Sequence, residues 1–517
     1  HSPALFLARD RLGIKPLYYN ILGDRLIFAS EIKAILLAEG VRREVNLEAL
    51  HRYLAFLWVP GPETMFKGVY KLPPAHYMLW WDGGYSIHPY WDLRFDVNGR
   101  ADERELVEEL RGILTSAVER HLISDVPLGV FLSGGLDSST ILALAAQVIG
   151  EPVTAYTIAY RPEDARLEQF PDEARFARLV AQHFGAEYHE IVVEPKVVDL
   201  FPKVVWHLDE PVADAAAIAT YLICEAARPQ LKVLLSGQGG DEVFAGYRVH
   251  WTHRLANLVR LLPEPLRNGP ARALLGMLPA LKDYVPGVHP GLMLAVHRYF
   301  DKLLQGAALS PEQRYVFYRS YYTDGDQLQL YTPELRTALT DTVAGARHLA
   351  YFEAVRDADF LNRMLYVDVK TFLPELNLTY SDKLSSATSV EVRVPLLDLE
   401  LVEFMARVPP GLKLKGLTNS KYLLKKAMEG ILPDPVIRRR KAGFGAPLRA
   451  WLRRDLREMV DDLLSEEAIK RRGYFDPKTI RRLIENDREG VEDNAQRIWA
   501  FLTLELWHRT FIDGAFP

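Results

Sequence analysis

The chain has 517 residues, 49% hydrophobic and 25% charged, with 63 Lys plus Arg against 68 Asp plus Glu and a formal net charge of −5. That balance offers no broad attraction to nucleic acid or an anionic membrane, and the length suffices for two or three domains. The single cysteine, Cys224, excludes an internal disulfide and a multi-cysteine metal site and suits a reducing, cytoplasmic compartment; no apolar stretch approaches the roughly 20 residues of a membrane span.

From Ala4 to about Trp91 the pattern predicts mostly β-structure. Short apolar runs (Ala4–Ala8, Leu17–Tyr19, Leu26–Ala29, His76–Trp80, Tyr85–His88) alternate with Gly, Pro and Asp turns, and Asp82-Gly83-Gly84 predicts a hairpin. Residues 92–104, polar and carrying Asn98-Gly99, read as a linker. Leu106, Leu110, Ile113, Leu114 and Val118 recur at helical spacing over Glu103–His121. Strands at Leu128–Leu132, Val153–Ala159, His189–Val193 and Lys232–Leu235 then alternate with helices at Ser139–Val148, Glu173–Phe184 and Ile218–Ala227. Such alternation predicts an α/β fold, a parallel sheet with helices on both faces. From about Trp251 the pattern is helical nearly to the end.

Two loops carry the chemistry. The first, Ser133-Gly134-Gly135-Leu136-Asp137-Ser138-Ser139, leaves a strand and opens a helix. Paired glycines admit a close-lying anion, the helix start directs free N–H groups at it, and three serines add hydroxyls. Asp137 would repel a phosphate unless a divalent cation lay between them, which makes it a candidate Mg²⁺ ligand. The second loop, Ser236-Gly237-Gln238-Gly239-Gly240-Asp241-Glu242, also follows a strand, and Asp241 is the natural second carboxylate for that ion. Either loop alone has a plainer reading as a glycine turn with a capping serine. Strand, SGGxDSS and helix coincide, however, and a matching second loop follows at Ser236–Glu242. No GK[ST] follows, so the first loop is not of the Walker type.

SGGLDSS resembles the pyrophosphate loop of the ATP pyrophosphatase superfamily, and its surroundings resemble the glutamine-dependent asparagine synthetases. Supporting blocks are Ser236–Glu242 against SGxGxDE, Ser381–Asp398 against DR-SM-SLEVRVPFLD with Lys383 and Ser386 at the departures, and Leu432–Pro447 against LP-R-K-GF-P. Leu7–Tyr19 with Phe28–Ala34 resembles the end of the family's glutaminase domain. The resemblance implies a nucleotide-binding α/β core over 105–250 and a mostly helical part over 251–517 that completes the site. Residues 1–91 would be the β-rich remnant of an N-terminal-nucleophile amidotransferase domain. It further implies that ATP is cleaved between its α and β phosphates and that aspartate is converted to asparagine through β-aspartyl-AMP. Ammonia would come from glutamine in a full-length protein.

By the same matching, Leu132 and Ile158 would contact adenine or ribose. Ser133, Gly134, Gly135, Asp137, Ser138, Ser139, Ser236 and Gly237 would line the nucleotide, and Asp137 with Asp241 would hold Mg²⁺. Lys441 would reach the reaction centre, with Lys421 a weaker candidate. Gln238 stands where relatives carry a catalytic Glu; an amide cannot serve as a carboxylate base, so Gln238 is expected to orient the intermediate. The family's nucleophile is the first cysteine of the mature chain. Here residue one is His1 and Cys224 reads as a core thiol, so no glutaminase nucleophile is assigned and glutamine hydrolysis is not expected. Glu391 and Arg393 read as a structural pair. The expected partners are small molecules (ATP, aspartate, glutamine or ammonia), with no nucleic acid or membrane partner and a possible homodimer. An adenylating synthetase for another carboxylate, such as a β-lactam-forming enzyme, and a nucleotide-binding module without turnover are the competing readings.

Overall fold

The structure is a computed structural model that describes residues 4–96, 102–168, 173–193, 197–266, 290–439, 441 and 445–514. The N-terminal part holds two antiparallel sheets, each of three strands. One has the order β1 (Ala4–Ala8), β5 (His76–Trp81), β6 (Gly84–Pro89); the other has the order β3 (Arg25–Ala29), β2 (Tyr18–Leu22), β4 (Val69–Lys71). The β5–β6 hairpin turns where expected, with Gly83 at φ 90°. Within this mostly β part, Leu47–Phe56 forms a helix, α1. The Asn46 side chain accepts from Ala49 N–H at its start, and seven of its ten residues are buried.

Residues 91–96 form no regular element, Asn98 and Gly99 lie outside the described residues, and α2 (Glu103–Leu122) begins inside the stretch read as linker, capped by Asp102. The predicted apolar stripe of α2 is its buried face. Beyond it a five-stranded parallel sheet has the order β11-β10-β7-β8-β9, with β7 Leu128–Phe131, β8 Thr154–Ala159, β9 Glu187–Val192, β10 Val233–Leu235 and β11 Glu391–Arg393. Val130, Ala155, Leu234 and Leu235 are fully buried, so the central β7, β8 and β10 are covered on both faces, whereas the outer β9 and β11 keep charged residues and stay partly exposed. Helices α3 (Leu136–Ile149), α4 (Glu173–His183), α5 (Val197–Leu208) and α6 (Ala216–Ala227) supply the cover. From β7 the chain builds outward through β8 and β9, then returns to place β10 on the other side, so the strand order reverses between β7 and β10. Ligands bind at the carboxyl ends of strands at such a reversal.

A short α7 (Gly240–Phe244) follows β10, and later helices include α8 (Phe360–Lys370), α9 (Leu378–Ala387), α10 (Tyr422–Met428) and α11 (Ala495–Trp507). The helical expectation for the second half is interrupted by β11, which adds the sheet's edge strand. One apolar core runs from Leu12 and Tyr18 of the N-terminal part through the sheet to Trp507. Among the described residues no helix is long and apolar enough to cross a membrane.

Candidate active site

The loop after β7 is shaped by its glycines and knitted by its hydroxyls. Gly134, at φ +68°, lies against α4 so closely that a Cβ there would meet the Phe176 carbonyl carbon at 2.7 Å. Ser133 N–H donates to Ser138 Oγ (3.2 Å), and the two serine hydroxyls are 3.1 Å apart. Gly135, the N-cap of α3, has no side chain to occupy the first-turn N–H groups, which stay available to an anion.

The loop after β10 abuts the first one directly. A Cβ on Gly237 would stand 2.8 Å from Ser138 N and 2.9 Å from Asp137 Cβ, and one on Gly240 2.7 Å from Asp137 Oδ1. Between the loops opens a cavity of about 360 Å³. Leu132, Ser133, Gly135, Asp137, Ser138, Ile158, Ser236, Gly237, Gln238, Asp241 and Lys441 all line it. Two sequence candidates stand behind the wall. Gly134 packs on α4 and gives its carbonyl to Arg439 (3.0 Å), and Ser139 is wholly buried with its hydroxyl unpartnered.

Asp137 and Asp241 sit in the first turns of α3 and α7. A cation already joins them: Lys421 Nζ contacts Asp137 Oδ2 and lies 2.6 Å from Asp241 Oδ1, while Lys441 Nζ contacts Asp241 Oδ2. Burial pushes the Asp137 carboxyl above its usual range, with Lys421 opposing and the Asp241 charge adding to the rise. Burial acts on Asp241 in the same sense, but Lys421 and Lys441 together outweigh it and hold this carboxyl well below the usual range. Burial alone would lower Lys421, yet the two carboxylates hold it above the ordinary lysine value; Lys441, with one carboxylate and a lysine neighbour, is lowered by desolvation. Asp137 Oδ1 is buried without a hydrogen-bond partner.

Gln238 is held from one side. Its Nε2 donates to Asn377 O and Tyr380 Oη, both at 3.4 Å, leaving Oε1 buried and unpartnered. Beside it Glu242 accepts from Tyr247 Oη (2.7 Å) and Asn377 Nδ2 (3.0 Å), and burial together with Asp241 raises it to about 7. The Tyr247 ring packs under Lys441, 4.4 Å from Nζ to centroid.

Lys421 is more central here than its sequence context announces, and Asn377, Tyr247 and Tyr380 line the site without having been expected from sequence. The four consecutive cations Arg438–Lys441 divide: Arg438 is exposed and pairs with Asp434 (2.9 Å), Arg439 braces Gly134 and Glu173, and Lys441 enters the cavity. Arg440, like Ala442–Phe444 of the matched block, lies outside the described residues. Glu391 and Arg393 form the expected structural pair, twofold at 3.2 Å, at the sheet edge. Cys224 is fully buried and its thiol is pushed up to about 12 by burial.

A cavity at the strand-order reversal, walled by two serine–glycine loops, defines an α/β protein with a ligand site at the carboxyl ends of its strands. The model of the asparagine synthase family matches residues 109–509, and that of a glutamine amidotransferase domain matches residues 1–91. Asparagine synthetase 1 of Bacillus subtilis is 32% identical over 515 residues, 98% of this chain and 76% of the relative. A putative glutamine-hydrolysing asparagine synthetase of Mycobacterium bovis is 32% identical over 518 residues, 98% of this chain and 75% of the relative. Amidase chyE of Penicillium rubens is 28% identical over 523 residues, 93% of this chain and 73% of the relative. The chain belongs to the asparagine synthase family.

Proposed function

We propose that the chain amidates aspartate: its side-chain carboxylate attacks the α-phosphate of ATP, pyrophosphate leaves, and ammonia displaces AMP from β-aspartyl-AMP to give asparagine. The convergence of both loops on one cavity, with two aspartates and two lysines at its floor, carries this reading. The bare first turn of α3 and the Ser133 and Ser138 hydroxyls suit the pyrophosphate part of ATP, with Leu132 and Ile158 against adenine or ribose. Lys421 and Lys441 supply fixed positive charge where negative charge grows on the phosphate and on the tetrahedral carbon. Gln238 Oε1, an acceptor with no protein partner, suits an N–H of the attacking amine.

Asp137 and Asp241 also fit a Mg²⁺ ion. They share a cation in Lys421, and Asp137 Oδ1 is a buried oxygen with no partner. Among the described residues no cluster of three or more His, Cys, Asp or Glu could hold a metal, so such an ion would draw its other ligands from the nucleotide and water. When bound it would neutralise phosphate charge next to Asp137. The setting we propose is the cytoplasm, with the protein acting as a homodimer.

A second reading keeps adenylation and changes the acceptor carboxylate; Gln238, in place of the usual Glu, is compatible with it. Incubation with ATP, Mg²⁺, ammonium and aspartate tests both. Asparagine, AMP and pyrophosphate in equal amounts support the first, pyrophosphate formed only when another carboxylate replaces aspartate supports the second, and ADP contradicts both.

A further inference from the structure

The segment running from the π-helical turn Leu373–Asn377 into α9 is gripped by the N-terminal part on one side and faces the cavity on the other. On the gripped side Lys71 of β4, 4% exposed, places Nζ 2.7 Å from Glu375 and 3.0 Å from Glu210, and donates to Val59 O at 2.8 Å. Lys15 pairs with Asp382 at 2.6 Å. Lys33 and Lys383 share the fully buried Asp209, at 2.9 and 2.5 Å. Gly13, at φ +72°, lies so near that a Cβ there would be 3.0 Å from Pro374 Cβ. On the cavity side Asn377 and Tyr380 accept the two hydrogen bonds made by the Gln238 carboxamide, and Asn377 Nδ2 also donates to Tyr247 Oη (3.1 Å) and Glu242.

Glu375 and Asn377 belong to one turn, so a shift of the first moves the second. Two buried glutamates on one buried lysine are a costly way to attach one part of a protein to another, because apolar contacts do so without desolvating charge. What such an ion triad adds is a fixed position for the groups in it. We propose that Lys71 and Glu375 are positioning residues for the synthetase reaction: the N-terminal part sets the Gln238 carboxamide through Lys71, Glu375 and the Asn377 carbonyl. This inference rests on the reading of the cavity as the adenylation site.

The test is a double-mutant cycle on the full chain, with ammonium as nitrogen source, using Lys71→Met, Lys71→Arg, Glu375→Gln and Gln238→Ala. Lys71→Met and Glu375→Gln are each expected to lower kcat about 10-fold or more while KM for ATP stays within about two-fold, since small misplacements remote from the chemistry act on kcat. Lys71→Arg is expected to recover most of the loss. Combining Lys71→Met with Gln238→Ala should cost little more than Gln238→Ala alone, because both act through one amide. Fully multiplicative losses, or an unchanged kcat in a folded Lys71→Met or Glu375→Gln variant, would overturn the proposal. Backbone hydrogen exchange gives a readout independent of turnover. Faster exchange across 236–247 in Glu375→Gln, whose side chain keeps its size, supports the coupling, and a change confined to 59–75 and 373–376 overturns it. Wild-type protein that forms no pyrophosphate with any acceptor would instead remove the adenylation reading and leave the exchange result to stand by itself.

Discussion

Lys421 and Lys441 differ in what they hold, and their variants should differ accordingly. Lys441 touches one carboxylate and is a third exposed (34%), so it can turn toward a ligand with little loss to the fold. Lys441→Ala is expected to lower kcat by about 100- to 1000-fold, the size of effect seen when one fixed charge-stabilising group is lost, with unfolding free energy nearly unchanged. Lys421 neutralises two carboxylates at once. Lys421→Met leaves Asp137 and Asp241 facing each other and should destabilise the protein by about 2 kcal/mol in urea unfolding. That is less than for a fully buried pair, because 22% and 19% of the two aspartate side chains meet solvent. Added Mg²⁺ should restore part of the loss, and no response to Mg²⁺ would count against the two aspartates as its ligands. The pair of aspartates is readable from sequence because each lies at a fixed offset inside a glycine loop. Lys421 is not: it precedes α10, far along the chain, and only folding brings it between them.

At the scale of elements, the tight junction between the two loops makes Gly237 the sharpest test. Any Cβ there would press on the Ser138 amide and Asp137, so Gly237→Ala should force the loops apart and raise KM for ATP about 10-fold or more. A normal KM would show that the loops act separately. The β7 and β10 loops were legible because strand, glycine and helix follow one another within a dozen residues, so local propensity and tertiary role agree. Where elements were missed, that agreement breaks. Leu47–Phe56 sits among short strands, and its only local announcement is Asn46 before Leu47 with Glu48 in the first turn. β11 is three residues long and becomes a strand only because β10 offers it an edge. Pro202 lies inside α5, where a proline ordinarily argues against a helix.

For the whole molecule, buried histidines set a pH limit. Burial lowers His348 and His253 to about 3, and His508 to about 4, all beneath the 6.5 of an exposed imidazole. Between those values the unfolded chain binds protons that the folded chain does not, so stability rises with pH and falls as pH drops below about 6.5. Each such histidine contributes up to about 1.4 kcal/mol per pH unit over that window. The urea midpoint should therefore drop between pH 7 and pH 5, less steeply than the histidines alone would give, because Glu242, raised to about 7, takes up a proton in the folded state over the same window. His348→Phe should flatten the slope: the ring packs at a tilt against Phe56, 4.4 Å between centroids, and its Nδ1 has no partner to lose. An unchanged slope would mean that His348 is protonated in the folded state.

The proposed reaction turns on one bond, the one formed between an acceptor carboxylate oxygen and the α-phosphorus of ATP in the cavity between the β7 and β10 loops. Aspartate labelled with ¹⁸O in its side-chain carboxylate, turned over with ATP, Mg²⁺ and ammonium, reports that bond directly. The carboxylate oxygen that attacks phosphorus stays there when ammonia takes the carbonyl carbon, so one ¹⁸O should appear in AMP and none in pyrophosphate. Label in orthophosphate with ADP as the nucleotide product, or unlabelled AMP alongside labelled water, would contradict it.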